Sequence, residues 1–270
     1  METTLTGLDA ITQTFAAARD ENRVAFMPFF TIGFPDLPTS LAVIEALVAA
    51  GADTVEIGIP FSDPLADGPT VQHSSQVALN NGIGLKDCIA AVRTLRERGV
   101  KVPLILMGYV NPLLAYGVER YVRDAAAAGA NGFIVPDLPP EETGELGKYC
   151  DQYGMALIPL LAPTSTAERI KQAVAIARGF IYLVSVTGVT GARDTLSGDS
   201  TDYIRRVRGL TPLPLVWGFG ISQPEQVQLL HGLVEGVAVG SALLRLIESK
   251  GLVAVQELAT SLRAACDATS

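Results

Sequence analysis

Between Val55 and Pro69 the chain reads VEIGIPFSDPLADGP, which sets three carboxyl groups, Glu56, Asp63 and Asp67, in an otherwise apolar, stiff stretch. Val55, Ile57 and Ile59 alternate with Thr54, Glu56 and Gly58, the two-residue period of a strand. With the branched residues facing a helical layer, Glu56 points to the enclosed side. A carboxylate there costs several kcal/mol unless it is paired or protonated, so it is a candidate acid or base with a raised pKa. Asp67 falls in the loop that follows, where Pro60, Pro64 and Pro69 each fix φ and hold the chain rigid. Asp63 reads as a turn residue or surface contact. One acid sunk and one at the rim is the arrangement by which a site divides two protonation roles.

Three glycine-rich loops follow: VTGVTGAR at Val186–Arg193, GFGIS at Gly218–Ser222 and VGSALL at Val239–Leu244. The last two run into helix patterns. Backbone N–H groups at such helix starts bind phosphate, and glycine lets the backbone come close. Three in succession predict a phosphorylated substrate. The segment from Gly188 to Thr201 is a candidate lid. Other chemistries lack their groups. Lys86, Lys101, Lys148, Lys171 and Lys250 fall in helices or before a strand, so a Schiff base has no amine at a strand end. His73 and His231 are isolated and not at metal-ligand spacing. There is no GxSxG elbow, and GFG falls short of the dinucleotide fingerprint. Carboxylate acid/base chemistry on a phosphorylated small molecule remains, with no metal and no cofactor.

The elements that must position these residues are read from eight apolar runs: VAFMPFFT, TVEIGIPF, VPLILMGY, GFIVPDLP, ALIPLLAP, FIYLVSVT, LPLVWGFG and GVAVGSAL. Amphipathic Ala/Leu-rich segments separate them, and strands alternating with helices predict a parallel sheet. Eight repeats predict an α/β fold, a single (β/α)8 TIM barrel over residues 1–270, in which strand C-termini carry the chemistry. An extra N-terminal helix precedes it, with Leu5, Leu8, Ile11 and Phe15 on one face. The phrases AAGAD at Ala49–Asp53 and AAGAN at Ala127–Asn131 each place a glycine as helix stop. The basic runs RTLRERG and IRRVRG read as solvated helix faces. A net charge of −8 excludes a phosphate-backbone binder. Three scattered cysteines form neither a disulfide framework nor a zinc motif. No apolar run reaches membrane-spanning length, so a cytoplasmic protein is expected.

The segments MPFFTIGFPD, VEIGIPFSDPLADGP, LMGYVNP, VPDLPPEE, YLVSVTGVTGAR and GFGIS, in this order, resemble the α subunit of tryptophan synthase over nearly the whole chain. The resemblance implies retro-aldol cleavage of indole-3-glycerol phosphate to indole and glyceraldehyde 3-phosphate. It implies Glu56 as general acid/base, Asp67 as acceptor of the indole N–H, and Tyr182 beside the reacting side chain. Phe29 and Phe219 match the pocket around the ring. Thr190 matches a substrate-binding position, and Gly191, Gly220, Gly240 and Ser241 match positions that hold phosphate. Val186 departs from the pattern, since well-known bacterial members carry arginine there. The resemblance also implies a pyridoxal-phosphate β subunit as partner, in an α2β2 assembly. The matching contact regions are Pro60–Asp67, GYVNP around Asn111 and PDLPPEE around Pro139. A stand-alone lyase releasing free indole, or a regulatory subunit with vestigial catalysis, are the other readings.

Overall fold

The computed structural model describes residues 7–184, 198–218 and 220–268. Among them are nine parallel strands: β1 (Ala25–Thr31), β2 (Val55–Gly58), β3 (Leu104–Met107), β4 (Gly132–Ile134), β5 (Ala156–Ile158), β6 (Leu160–Leu161), β7 (Ile181–Val184), β8 (Leu215–Gly218) and β9 (Gly236–Val239). Their order around the sheet is β5-β4-β3-β2-β1-β9-β8-β7-β6. The two ends of that list are consecutive in sequence. Pro159, which has no N–H to give a ladder, divides one apolar run into β5, paired to β4, and β6, paired to β7. Its carbonyl still accepts the Tyr182 N–H at 3.1 Å. One interrupted strand therefore closes a barrel of eight strand positions, as the eight apolar runs predict.

The strands are short and buried because both faces are covered. The interior is crowded enough that glycine is needed at several positions. A Cβ on Gly236 would lie 2.9 Å from the Val216 side chain and 3.3 Å from the Met27 sulfur. The N-terminal helix, Gly7–Asp20, covers the end of the barrel where strands begin. Ile11 and Phe15 are buried, and the Phe15 ring meets Phe180 at 5.5 Å. Leu8 joins this face, while Leu5 lies outside the described residues. Gly51 and Gly129 stop their helices at φ of +96° each, as the repeated phrase requires.

The basic runs are not wholly solvated. Arg93 and Arg98 are exposed, but Arg96 and Arg208 lie half-buried at the strand-beginning end of the barrel. Arg96 donates to the carbonyls of Gly129, Val100 and Val102 and to Asn131 Oδ1. Helical periodicity places such arginines on a polar face but does not show that neighbouring strands begin beside it.

Candidate functional site

The site forms at the opposite end, where strands finish. In β2 the side chains alternate as expected, and Glu56 is fully buried inside the barrel, level with Phe29 of β1 and Ile105 of β3. Gly58, two residues on, also faces inward. A Cβ there would lie 2.5 Å from the Phe29 ring, so the missing side chain is what lets that ring lie across the mouth. Gly240 accommodates the other side of the ring, its notional Cβ 3.0 Å from Phe29 Cδ1. Ile59, one residue past the strand, lines the crevice instead of the helical layer.

Neither oxygen of Glu56 has a hydrogen-bond partner among the described residues. Burial pushes its pKa up from 4.5 to about 8, and the Tyr182 hydroxyl opposes this. Glu56 thus holds its proton at neutral pH. Tyr182 is buried beside it, and a Cβ on Gly218 would lie 2.1 Å from the tyrosine ring. Burial, then the charges of Glu56 and Asp67, push the tyrosine pKa well up, so Tyr182 keeps its own proton.

Asp67 is half-buried at the rim. Its N–H donates to the Pro64 carbonyl at 3.0 Å, closing the turn that the prolines stiffen. The Tyr109 hydroxyl donates to Asp67 Oδ2 at 2.9 Å and accepts the Ala66 N–H at 3.1 Å. Burial raises the Asp67 pKa to about 6, with Tyr109 opposing it. Asp63, by contrast, is exposed and points to its own turn, consistent with a surface role. Asp67, Met107 and Pro136 are shared by two arms of one crevice. One runs over Phe29, Gly58 and Val71, the other past Leu161, Ser165, Arg169 and Val184. The larger arm is a cleft of about 290 Å³ that opens to solvent, within the range of small-molecule sites.

Gly240 and Ser241 stand where β9 passes into the helix Ser241–Ala265, whose first N–H groups have no intrahelical acceptor. Gly220 has φ of +85°, a conformation that favours glycine. Phe219, Thr190, Gly191, Val186 and the 188–197 part of the candidate lid lie outside the described residues. Sequence reasoning missed Tyr109, whose motif LMGYVNP reads only as a contact region. It also missed Arg169, which lines the crevice while pairing with Glu141 at 3.7 Å. No local pattern in the chain marks either one, because each acts across two strand-end loops.

A (β/α)8 barrel with one buried, protonated carboxyl beneath its mouth and a second at the rim places the chain among barrel proteins whose candidate site lies at the strand C-termini. The family model of the tryptophan synthase alpha chain matches residues 15–268. The chain is 53% identical over 241 residues to the tryptophan synthase alpha chain of Chloroflexus aggregans, covering 89% of this chain and 90% of that one. A yeast protein, the tryptophan synthase of Saccharomyces cerevisiae, is 45% identical over 88% of this chain but is itself covered over only 34%. Among solved structures, a Mycobacterium tuberculosis tryptophan synthase superposes with a TM-score of 0.90 at 36% identity, covering 96% and 98% of the two chains. The tryptophan synthase subunit alpha of Legionella pneumophila gives 0.88 at 34% identity, covering 96% and 98%. The chain belongs to the tryptophan synthase alpha chain family.

Proposed function

We propose that the chain is a carbon–carbon lyase that cleaves indole-3-glycerol phosphate, with Glu56 as its general acid/base and Asp67 as the group that receives the indole N–H. The observation that carries this is Glu56 itself, fully buried, without a hydrogen-bond partner among the described residues, and inward-facing beside Tyr182. A carboxyl that keeps its proton at pH 7 can deliver it to C3 of the indole. The carboxylate left behind then takes the proton of the adjacent side-chain hydroxyl. The bond from C3 to that carbon breaks, an aldehyde forms, and indole leaves with the hydrogen it gained. Glu56 ends protonated, as it began. Asp67 supports the positive charge that develops on the indole nitrogen after C3 is protonated. Phe29 and Gly58 provide the flat apolar wall, and Gly220, Gly240 and Ser241 hold the phosphate.

A β subunit, in an α2β2 complex, is the proposed partner. Leu65 and Leu114, 93% and 55% exposed, stand in the loop after β2 and the short helix after β3, on the same end as the crevice. Large apolar side chains so exposed beside an active site suit a docking face that receives an apolar product. The test is indole release from indole-3-glycerol phosphate by the wild type and by Glu56→Gln, each with and without β subunit. The expected result is turnover that rises with β in the wild type and is lost in both states of the variant. Comparable turnover in Glu56→Gln would refute the acid/base role, and a wild-type chain fully fast alone would favour a stand-alone lyase.

A further inference from the structure

The loops that follow β2 and β3 are tied together at the crevice by one side chain, and a backbone N–H beside it reaches the loop after β4. Tyr109 stands one residue beyond Gly108, after β3, and is almost wholly buried. Its hydroxyl donates to Asp67 Oδ2 at 2.9 Å and accepts the Ala66 N–H at 3.1 Å. Its ring stacks on Phe61 of the same β2 loop, centroids 5.2 Å apart and planes 29° from parallel. The next residue, Val110, donates its N–H to Asp137 Oδ1 after β4 at 2.9 Å. Among the described residues, Tyr109 is the one side-chain donor bonded to the Asp67 carboxylate. A phenol in this setting remains a donor, because burial and then the neighbouring Asp67 charge both disfavour losing its proton.

We propose that Tyr109 is the positioning residue for Asp67, a strut that fixes where that carboxylate sits over the barrel mouth and keeps it ionised to accept the indole N–H. The proposal rests on the reading of Asp67 given under Proposed function. The geometry distinguishes it from simple loop packing. Stacking on Phe61 alone would hold the loop, whereas the hydroxyl reaches the carboxylate that has to stay charged. A hydrogen bond donated to a carboxylate favours its ionised form and is worth more than a neutral one. The other charged or titratable groups around the pair are Asp137 beyond Tyr109, Tyr182 across the mouth, Asp63 earlier in the loop and Arg169 along the crevice. None of these is hydrogen-bonded to the Asp67 carboxylate among the described residues.

Tyr109→Phe keeps the ring and its stack while removing the oxygen alone. Two measurements on the full chain test it: kcat and KM for indole-3-glycerol phosphate across the pH range, and carbon-13 NMR titration of the Asp67 carboxyl. The acidic limb of kcat/KM and the Asp67 titration are both expected to move up by about one pH unit, the scale of one charge-assisted hydrogen bond. Activity then falls about tenfold in the variant at pH 5.5 and recovers to within about threefold of wild type at pH 8. An unmoved carboxyl titration, or an equal loss of activity at every pH, would overturn the proposal. If the wild type releases no indole at all, the proposed reaction fails, and the NMR titration, which needs no turnover, still decides the role of Tyr109.

Discussion

Glu56 and Asp67 differ by where their oxygens can find a partner. Asp67 has the Tyr109 hydroxyl, and Glu56 has no hydrogen-bond partner among the described residues. The cost of that isolation should be visible as a pH dependence of stability. The native state holds a proton on Glu56 up to about pH 8, whereas the unfolded chain releases it near 4.5. Stability from this group is therefore complete below the lower value and is lost as pH rises through the upper one. Asp67, raised to about 6, adds the same sign over a lower window. Glu56→Gln removes the larger dependence, so its stability relative to wild type should rise by about 2 kcal/mol between pH 5 and pH 7 in urea titrations. A difference that stays flat with pH would mean that Glu56 is ionised in the folded protein. The alternation of VEIGI suffices to place Glu56 on the enclosed side, because a strand turns successive residues to opposite faces whatever surrounds it. The partner of Asp67 is not legible in that way, since Tyr109 follows a different strand.

At the scale of elements, strand register decides how closely side chains approach. β7 and β8 run parallel with Tyr182 opposite Val216 and Val184 opposite Gly218. The tyrosine ring consequently lies over Gly218, where any Cβ would come within 2.1 Å of it. Gly218→Ala is expected to turn Tyr182 away from Glu56, costing about 1–3 kcal/mol of stability and at least about tenfold in kcat. Gly144→Ala is the comparator, because nothing lies within 4 Å of a Cβ there and its backbone needs no glycine. Retention of full activity by Gly218→Ala would show that the Tyr182 position is not needed. The sequence motif GFG reads as a phosphate loop, and its second role as a seat for an aromatic ring follows only from the pairing of two strands. The same holds for Pro159. ALIPLLAP looks like one strand, and only closure of the ring makes it serve two neighbours.

Over the whole molecule, a repeated clamp holds the end opposite the site. Asp53, just before β2, accepts from Arg23 at 2.7 and 2.8 Å and from the Phe26 N–H of β1 at 2.8 Å. Asn131, just before β4, accepts from Arg96 at 2.6 Å and from the Leu104 N–H of β3 at 2.9 Å. Glu235, just before β9, pairs with Arg208 and accepts the Leu215 N–H of β8 at 2.7 Å. Each clamp joins two adjacent strands through a guanidinium, so the barrel is braced at one end and left open for chemistry at the other. Asn131→Ala leaves Arg96 with one acceptor fewer and strands a buried N–H, with an expected loss of about 3 kcal/mol in urea unfolding. Catalysis measured well below the melting temperature should change little. A variant as stable as wild type would show that the clamp contributes nothing.

The barrel, the inward face of Glu56, the stiff rim around Asp67 and the glycine stops are legible along the chain, because periodicity, proline and glycine act within a few residues of themselves. That Tyr109 reaches Asp67, that Arg96 and Arg208 are structural, and that Gly218 yields its space to Tyr182 emerge only once the barrel is folded. Those contacts join residues far apart along the chain, and their free energies depend on the burial and distance that closing the ring creates.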